Sequence, residues 1–177
     1  MREQPAMPYL YVLAAIVLRI APHPWNLTPL AAMFLFSGAT FRSRRDALLV
    51  PLAALLVSDY AVIRVLWHSQ YGWFSPATWA AFLAVGVIGF TLRSRITFRR
   101  VAAASLAGSV SFFLITNFAV WAAGTLYPKT FAGLAASYVA ALPFFRNTVI
   151  GDLFYAGVMF GSYAWLERRA LAPARQH

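Results

Sequence analysis

Six apolar stretches, with arginine clusters after every second one, leave few folds open to this chain. Arg42, Arg44 and Arg45 follow the second stretch; Arg93, Arg95, Arg99 and Arg100 follow the fourth. Arg168, Arg169 and Arg175 follow the sixth, and Arg2 precedes the first. Lys and Arg are retained on the cytoplasmic side of short loops, so this spacing describes a chain that crosses a bilayer in hairpins. Eleven of the fifteen basic residues then lie on one side; only Arg19, Arg64, Lys129 and Arg146 lie on the other. The expected fold class is all-α: a polytopic membrane protein of six transmembrane helices, one domain over residues 1–177, both termini cytoplasmic.

Composition closes the soluble alternative. The chain is 61% hydrophobic and 11% charged, too few charges to cover a soluble domain of this size. A net charge of +10 in a soluble protein would point to nucleic acid. Here the basic residues sit in short loops between apolar segments, where they act as topology signals and contacts for anionic lipid. The expected partner is therefore the lipid bilayer and not nucleic acid. With no cysteine there are no disulfides, thiolate metal sites or thiol nucleophiles. The first stretch does not read as a cleavable signal peptide: Glu3 interrupts its short basic region, and Pro22-His23-Pro24-Trp25 offers no small-residue cleavage site.

The spans are placed at about residues 8–21, 27–41, 47–67, 76–92, 101–123 and 148–166. The first two are short against the roughly 20 residues a straight crossing needs, so the proline-rich link 21–29 is expected to dip below the membrane surface. The outward segment 68–75 carries Tyr71, Trp73 and Phe74, read first as headgroup anchors. Within the long segment 124–147, residues 130–142 are predicted to form a short helix, entered from Pro128 and ended at Pro143, lying at the interface or folded back as a lid.

Polar groups within or beside the spans are few: Arg19, Asp59, Arg64, Asn117, Arg146, Asn147 and Asp152. Burying an ionised group in hydrocarbon is costly unless it is paired or wetted, so such residues mark a site or an ion pair. Most map to the half of the bundle opposite the basic loops. Asp59 and Arg64 stand about 140° apart around a helix and so do not face each other. Asp59 with Arg19, and Asp152 with Arg146, are the candidate structural pairs. Asn117 and Trp121 share a face at i,i+4, as Asp152 and Tyr155 do at i,i+3. Asn147 is read first as a cap at the start of the sixth span, with Arg146 beside it at the positive end of the helix dipole. Gly38, Gly151, Gly157 and Gly161 are read as helix-packing positions.

Catalysis has little footing. No His, Asp or Glu cluster has metal spacing, no glycine loop suits a phosphate, and Ser58-Asp59 lacks an adjacent base. Binding without enzyme activity, and without a cofactor, is the expectation.

The block from Phe112 to Gly161 is the most distinctive in the chain. It contains Asn117-Phe118-x-Val120-Trp121, Tyr127-Pro128-x-Thr130, Gly133-Leu134, Ala141-Leu142-Pro143-Phe144-Phe145-x-Asn147-Thr148 and Gly151-Asp152-Leu153-x-Tyr155. With Asn26-Leu27-Thr28-Pro29 and Ser58-Asp59, it resembles an uncharacterised bacterial family of small integral membrane proteins. That family is similar in turn to the substrate-binding S components of energy-coupling factor vitamin transporters. The resemblance implies a six-helix bundle in the bacterial inner membrane, an outward pocket covered by loops, a vitamin-like solute and an energising transporter module as partner. Unlike the cobalamin-type relatives, which carry a reactive cysteine near the ligand, this chain has none.

The expected function is binding and uptake of a small organic solute from the outer side. Asn117, Trp121, Tyr127, Arg146, Asn147, Asp152 and Tyr155 would form or gate the pocket, with Asp59 and Arg64 as a second wall. The alternative is a non-transporting scaffold or accessory subunit, in which the same polar groups pair only with one another.

Overall fold

The computed structural model describes residues 6–20, 28–66, 68 and 75–171. Among them every regular element is helical: α1 (Met7–Ile20), α2 (Leu30–Thr40), α3 (Arg44–Tyr60), α4 (Pro76–Gly89), α5 (Phe98–Ala123) and α6 (Phe131–Leu171). A π-helical turn, Ala61–Leu66, continues α3, and a short 3-10 turn, Phe90–Leu92, follows α4. The link at residues 21–27 and the aromatic segment 71–74 lie outside the described residues.

Local chemistry sets several starts. The Ser43 hydroxyl accepts from the Asp46 N–H (3.2 Å) to begin α3, and Thr97 accepts from the Arg100 N–H (3.4 Å) to begin α5. Thr130 accepts from the Gly133 N–H (3.1 Å) at the start of α6. Each satisfies one of the donors that a helix N-terminus leaves without a partner.

The helices run alternately up and down. At one end the Arg93 guanidinium donates to the carbonyls of Gly38 and Phe41, both at 2.8 Å, tying the start of the α4–α5 link to the end of α2. Arg44 and Arg93 both lie over the Phe90 ring, 5.5 and 4.7 Å from its centre. The Arg93 guanidinium is held below its usual pKa by burial, and then by the charge of Arg44. Tyr9, near the start of α1, packs on Phe41 at this same end (4.6 Å between ring centres). At the other end Arg19, at the close of α1, meets Ser58 and Asp59 at the close of α3. The described basic clusters therefore share one end of the bundle.

The 11-residue α2 is its central post. Every residue from Leu30 to Ala39 is buried, as a helix apolar on all sides must be. Phe34 stacks on Phe82 of α4 (5.4 Å), and Phe36 meets Phe160 and Tyr163 of α6 edge-on (both 5.2 Å). Against α4 the contact is backbone on backbone. A Cβ on Gly38 would stand 2.2 Å from the Gly86 carbonyl oxygen, and one on Gly89 would stand 2.4 Å from that of Leu35. Small residues permit such an approach. Gly38 thus packs as expected. Gly157 and Gly161 do not, for a Cβ at either would meet nothing within 4 Å, so the sequence reading of these two as packing positions is corrected within the single chain.

Among the described residues three helical segments are long and apolar enough to cross a membrane: Arg44–Arg64, Phe98–Ala123 and Phe131–Arg169. Met7–Ile20, Leu30–Thr40 and Pro76–Leu92 are shorter apolar helices. Large apolar side chains face outward around the bundle, Val57 being 70% exposed and Val139 64%.

The largest departure from expectation is α6. Residues 130–142 do not form a separate helix ended at Pro143. They are the first third of a 41-residue helix that runs through Pro143 into the stretch expected as the sixth span, roughly 60 Å at 1.5 Å per residue. Asn147 therefore lies in mid-helix and not at a helix start, and so does Arg146 beside it.

Candidate functional site

The long helix creates the site by diverging from its neighbour. The Ser137 hydroxyl of α6 donates to the Asn117 carbonyl of α5 (3.1 Å), and Tyr138 donates to the Leu114 carbonyl (3.0 Å). Lower down, Ser109 of α5 meets Asp152 of α6 at 2.6 Å. Between the Ser137 and Asp152 contacts α6 advances fifteen residues while α5 advances eight. At 1.5 Å per residue these are roughly 22 and 12 Å of helix, so the two cannot lie parallel over this interval. Pro143 falls within it, lacks an N–H and leaves the Val139 carbonyl without its helical donor.

The wedge holds a cavity of about 200 Å³, walled by Phe112, Phe113, Thr116 and Asn117 of α5 and by Ala141, Phe144, Phe145 and Thr148 of α6. A second cavity, of about 100 Å³, adjoins it through the shared walls Phe112 and Thr148, and reaches Phe82, Ala31, Thr28 and Asp152. Together they stand at the lower end of the roughly 300–1,000 Å³ range of small-ligand sites. Their walls combine aromatic rings, three threonine hydroxyls, an amide and one carboxyl group.

Asp152 is buried, and among the described residues it has no ion-pair partner. Its Oδ2 lies 2.6 Å from the Ser109 Oγ, which is also 3.1 Å from the Ser105 carbonyl oxygen. One hydroxyl hydrogen cannot serve both acceptors. With a carboxylate at 152, Ser109 donates to it. With a carboxylic acid there, Asp152 donates to Ser109 and Ser109 donates to Ser105. The pair holds either form by turning a single hydroxyl.

The expected site residues separate into four groups. Asn117 and Asp152 line the cavities. Asn117 also donates from Nδ2 to the Phe113 carbonyl (2.8 Å), which fixes its amide. Trp121 and Tyr127 belong to the α5–α6 turn. Trp121 Nε1 donates to the Pro128 carbonyl (2.9 Å), and Lys129 donates to the carbonyls of Trp121 and Gly124 while lying over the indole ring. Trp121 is thus a staple of the turn and walls neither cavity. Arg146 is exposed, and Asn147 and Tyr155 are flanking residues of α6; Tyr155 packs partly against the core. Asp152 does not pair with Arg146: its hydrogen bond goes to Ser109.

Asp59 and Arg64 belong elsewhere. Asp59 accepts from Arg19 and from Trp79 Nε1 (3.2 Å), and Arg19 also donates to Ser58 (2.7 Å). This polar knot joins α1, α3 and α4 at the end opposite the basic loops, and its Asp59–Arg19 pair is one of the two weighed from sequence. Arg64, in the π-helical turn, is half-buried and lines neither cavity.

Sequence reasoning missed Ser109 and the phenylalanine walls. Ser109 carried a signal, as a hydroxyl in an apolar span four residues from another at Ser105. The phenylalanines carried none, because an apolar residue in a span reads as core or lipid contact.

No curated protein and no solved structure matches the chain. A family model does, over residues 1–175, and the chain belongs to that family, DUF6580, a family of unknown function.

Proposed function

We propose that the protein is a six-span membrane protein that binds a small organic solute in the α5–α6 wedge and helps move it inward, in the manner of transporter S components. In this reading the basic end faces the cytoplasm, by the positive-inside rule, and the membrane is the bacterial inner membrane with both termini inside. Apolar walls supply burial and a few fixed polar groups supply orientation, as small-ligand pockets do. The observation that carries the reading is a pair of adjoining cavities, one walled by Asn117 and Thr148 and the other by Thr148 and Asp152, at the end where the turn after Trp121 closes α5 on α6. An energising module is a further partner in this proposal.

Native mass spectrometry of freshly extracted protein tests it. A co-purifying small molecule is expected on the wild type and is expected to be lost or diminished in Asp152→Asn. A bare protein mass in repeated extractions, with an unchanged small-molecule profile in cells lacking the gene, would count against uptake.

One observation favours the second reading, a scaffold or accessory subunit. Among the described residues no buried side-chain polar atom lacks a hydrogen bond, so the interior is satisfied without a ligand. A stoichiometric protein partner in mild extracts, with no small molecule bound, would select it.

A further inference from the structure

The chain carries +10 overall, yet among the described residues that wall the two cavities none is basic and Asp152 is the single charged side chain. Of the eleven other wall residues five are phenylalanines, with Phe112, Phe113, Phe144 and Phe145 around the larger cavity and Phe82 in the smaller one that Asp152 also lines. We propose that the solute is a small organic cation whose charged nitrogen sits against Asp152 and whose apolar part occupies the phenylalanine-lined wedge. This rests on the solute-binding reading above and names its substrate class.

The chemistry selects the sign of charge. Ring faces carry the negative lobe of the aromatic quadrupole and attract cations, most strongly where water is excluded. An anion would meet the Asp152 carboxylate among these rings, with no cationic side chain among the described wall residues to offset it. A neutral solute would gain apolar burial and at most a hydrogen bond to the carboxylate, without the attraction of opposite charges. The Asp152–Ser109 pair suits a cation in a further respect. Ser109 is the hydrogen-bond donor that holds Oδ2 when the group is ionised, so the second oxygen can face the bound nitrogen. If the carboxyl is protonated before binding, its proton leaves to solvent as the cation enters, and net charge in the site is conserved.

The size of the wedge limits the class. Cavities of about 200 and 100 Å³ match the bulk of an aryl or short alkyl ammonium.

The test is a binding comparison on the purified full chain in detergent, by titration calorimetry against an empty-micelle blank. The probes are benzyltrimethylammonium, benzyl alcohol and phenylacetate: one aryl frame carrying a positive, neutral or negative group. The expected result is at least tenfold tighter binding of the cation than of either other probe. Asp152→Asn should lose most of that preference while keeping the weak alcohol binding, and Asp152→Glu should restore part of it. Equal affinity for cation and alcohol, or preference for phenylacetate, overturns the cation assignment and leaves a solute-binding wedge standing. Binding of none of the three overturns the assignment as well, and the native-mass measurement then decides the broader reading separately. Should Asp152→Asn fail to fold, the ranking of the three probes on the wild type decides alone.

Discussion

Replacing Gly38 by alanine adds one methyl group at the point where α2 and α4 touch. In the native geometry that carbon would stand 2.2 Å from the Gly86 carbonyl oxygen and 3.0 Å from the Gly89 Cα. Both neighbours are backbone, so no side chain can rotate aside. Either α4 moves outward by about an ångström or α2 does, and α2 is buried by helices on every side. Overpacking of a tight core typically costs about 1–3 kcal/mol, and a helix that cannot tilt away belongs at the upper end. In a chain of this length that corresponds to a fall of roughly 5–10 °C in Tm. Two controls bracket it. At Gly86 a Cβ would meet the Leu48 Cδ2 at 2.7 Å, the far end of a flexible side chain, so Gly86→Ala should cost less. At Gly157 nothing lies within 4 Å, so Gly157→Ala should leave Tm unchanged or slightly raised. Thermal unfolding in one detergent, followed by a fluorescent reporter of aggregation, reads all three. A Gly38→Ala protein melting within about 2 °C of wild type would refute backbone contact between α2 and α4.

Removing one partner of the Arg19–Asp59 pair by Asp59→Leu should destabilise by about 3 kcal/mol, because a largely buried guanidinium loses its counter-charge, while the double change with Arg19→Leu should recover much of the loss; a double variant no better than the single one would show that the pair is not what ties α1 to α3. Trp121→Phe should cost about 1 kcal/mol through the lost bond to Pro128 and leave probe affinity unchanged; a fall in affinity at unchanged stability would return Trp121 to the site. Arg95→Cys should be shielded from an impermeant maleimide in intact cells, while Thr125→Cys in the opposite turn should be labelled; the reverse pattern would invert the orientation. Pro143→Ala should restore a donor to the Val139 carbonyl, stabilising α6 by about 1 kcal/mol while narrowing the wedge and weakening cation binding; stability and affinity rising together would separate the cavity from the proline.

The segments themselves were legible because hydrophobic length and arginine placement are properties of the sequence alone. The shortness of α1 and α2 followed from the same count, and so did the gathering of the basic clusters at one end. Asp59 and Asp152 stood out because an acid in an apolar span must answer to something, and each does: Asp59 to Arg19 and Trp79, Asp152 to Ser109. Pairing was harder to read, for it depends on which helix faces which. Arg146 looked a fair partner for Asp152, yet six residues along a helix turn the two to different sides, and Arg146 is exposed. Gly86 and Gly89 were missed for a related reason: a glycine in an apolar helix gives no sign of the backbone opposite it until the crossing is known.

Pro143 was read as a stop because a proline removes a helical hydrogen bond and crowds the preceding turn. That cost is local, and here it is outweighed by what grips the helix on both sides. Ser137 and Tyr138 fasten the turns before the proline to α5, and the Phe145 ring packs on Phe113 just after it, 4.7 Å between centres. The helix therefore continues, but it is held to α5 above and again at Asp152 below, with unequal lengths of helix in between. A straight α6 in full contact with α5 would leave no space there. The residue that misled the reading of the boundary lies in the stretch where the two helices part, and the single acidic side chain in that opening sits at its lower end, where α6 rejoins α5 through Ser109.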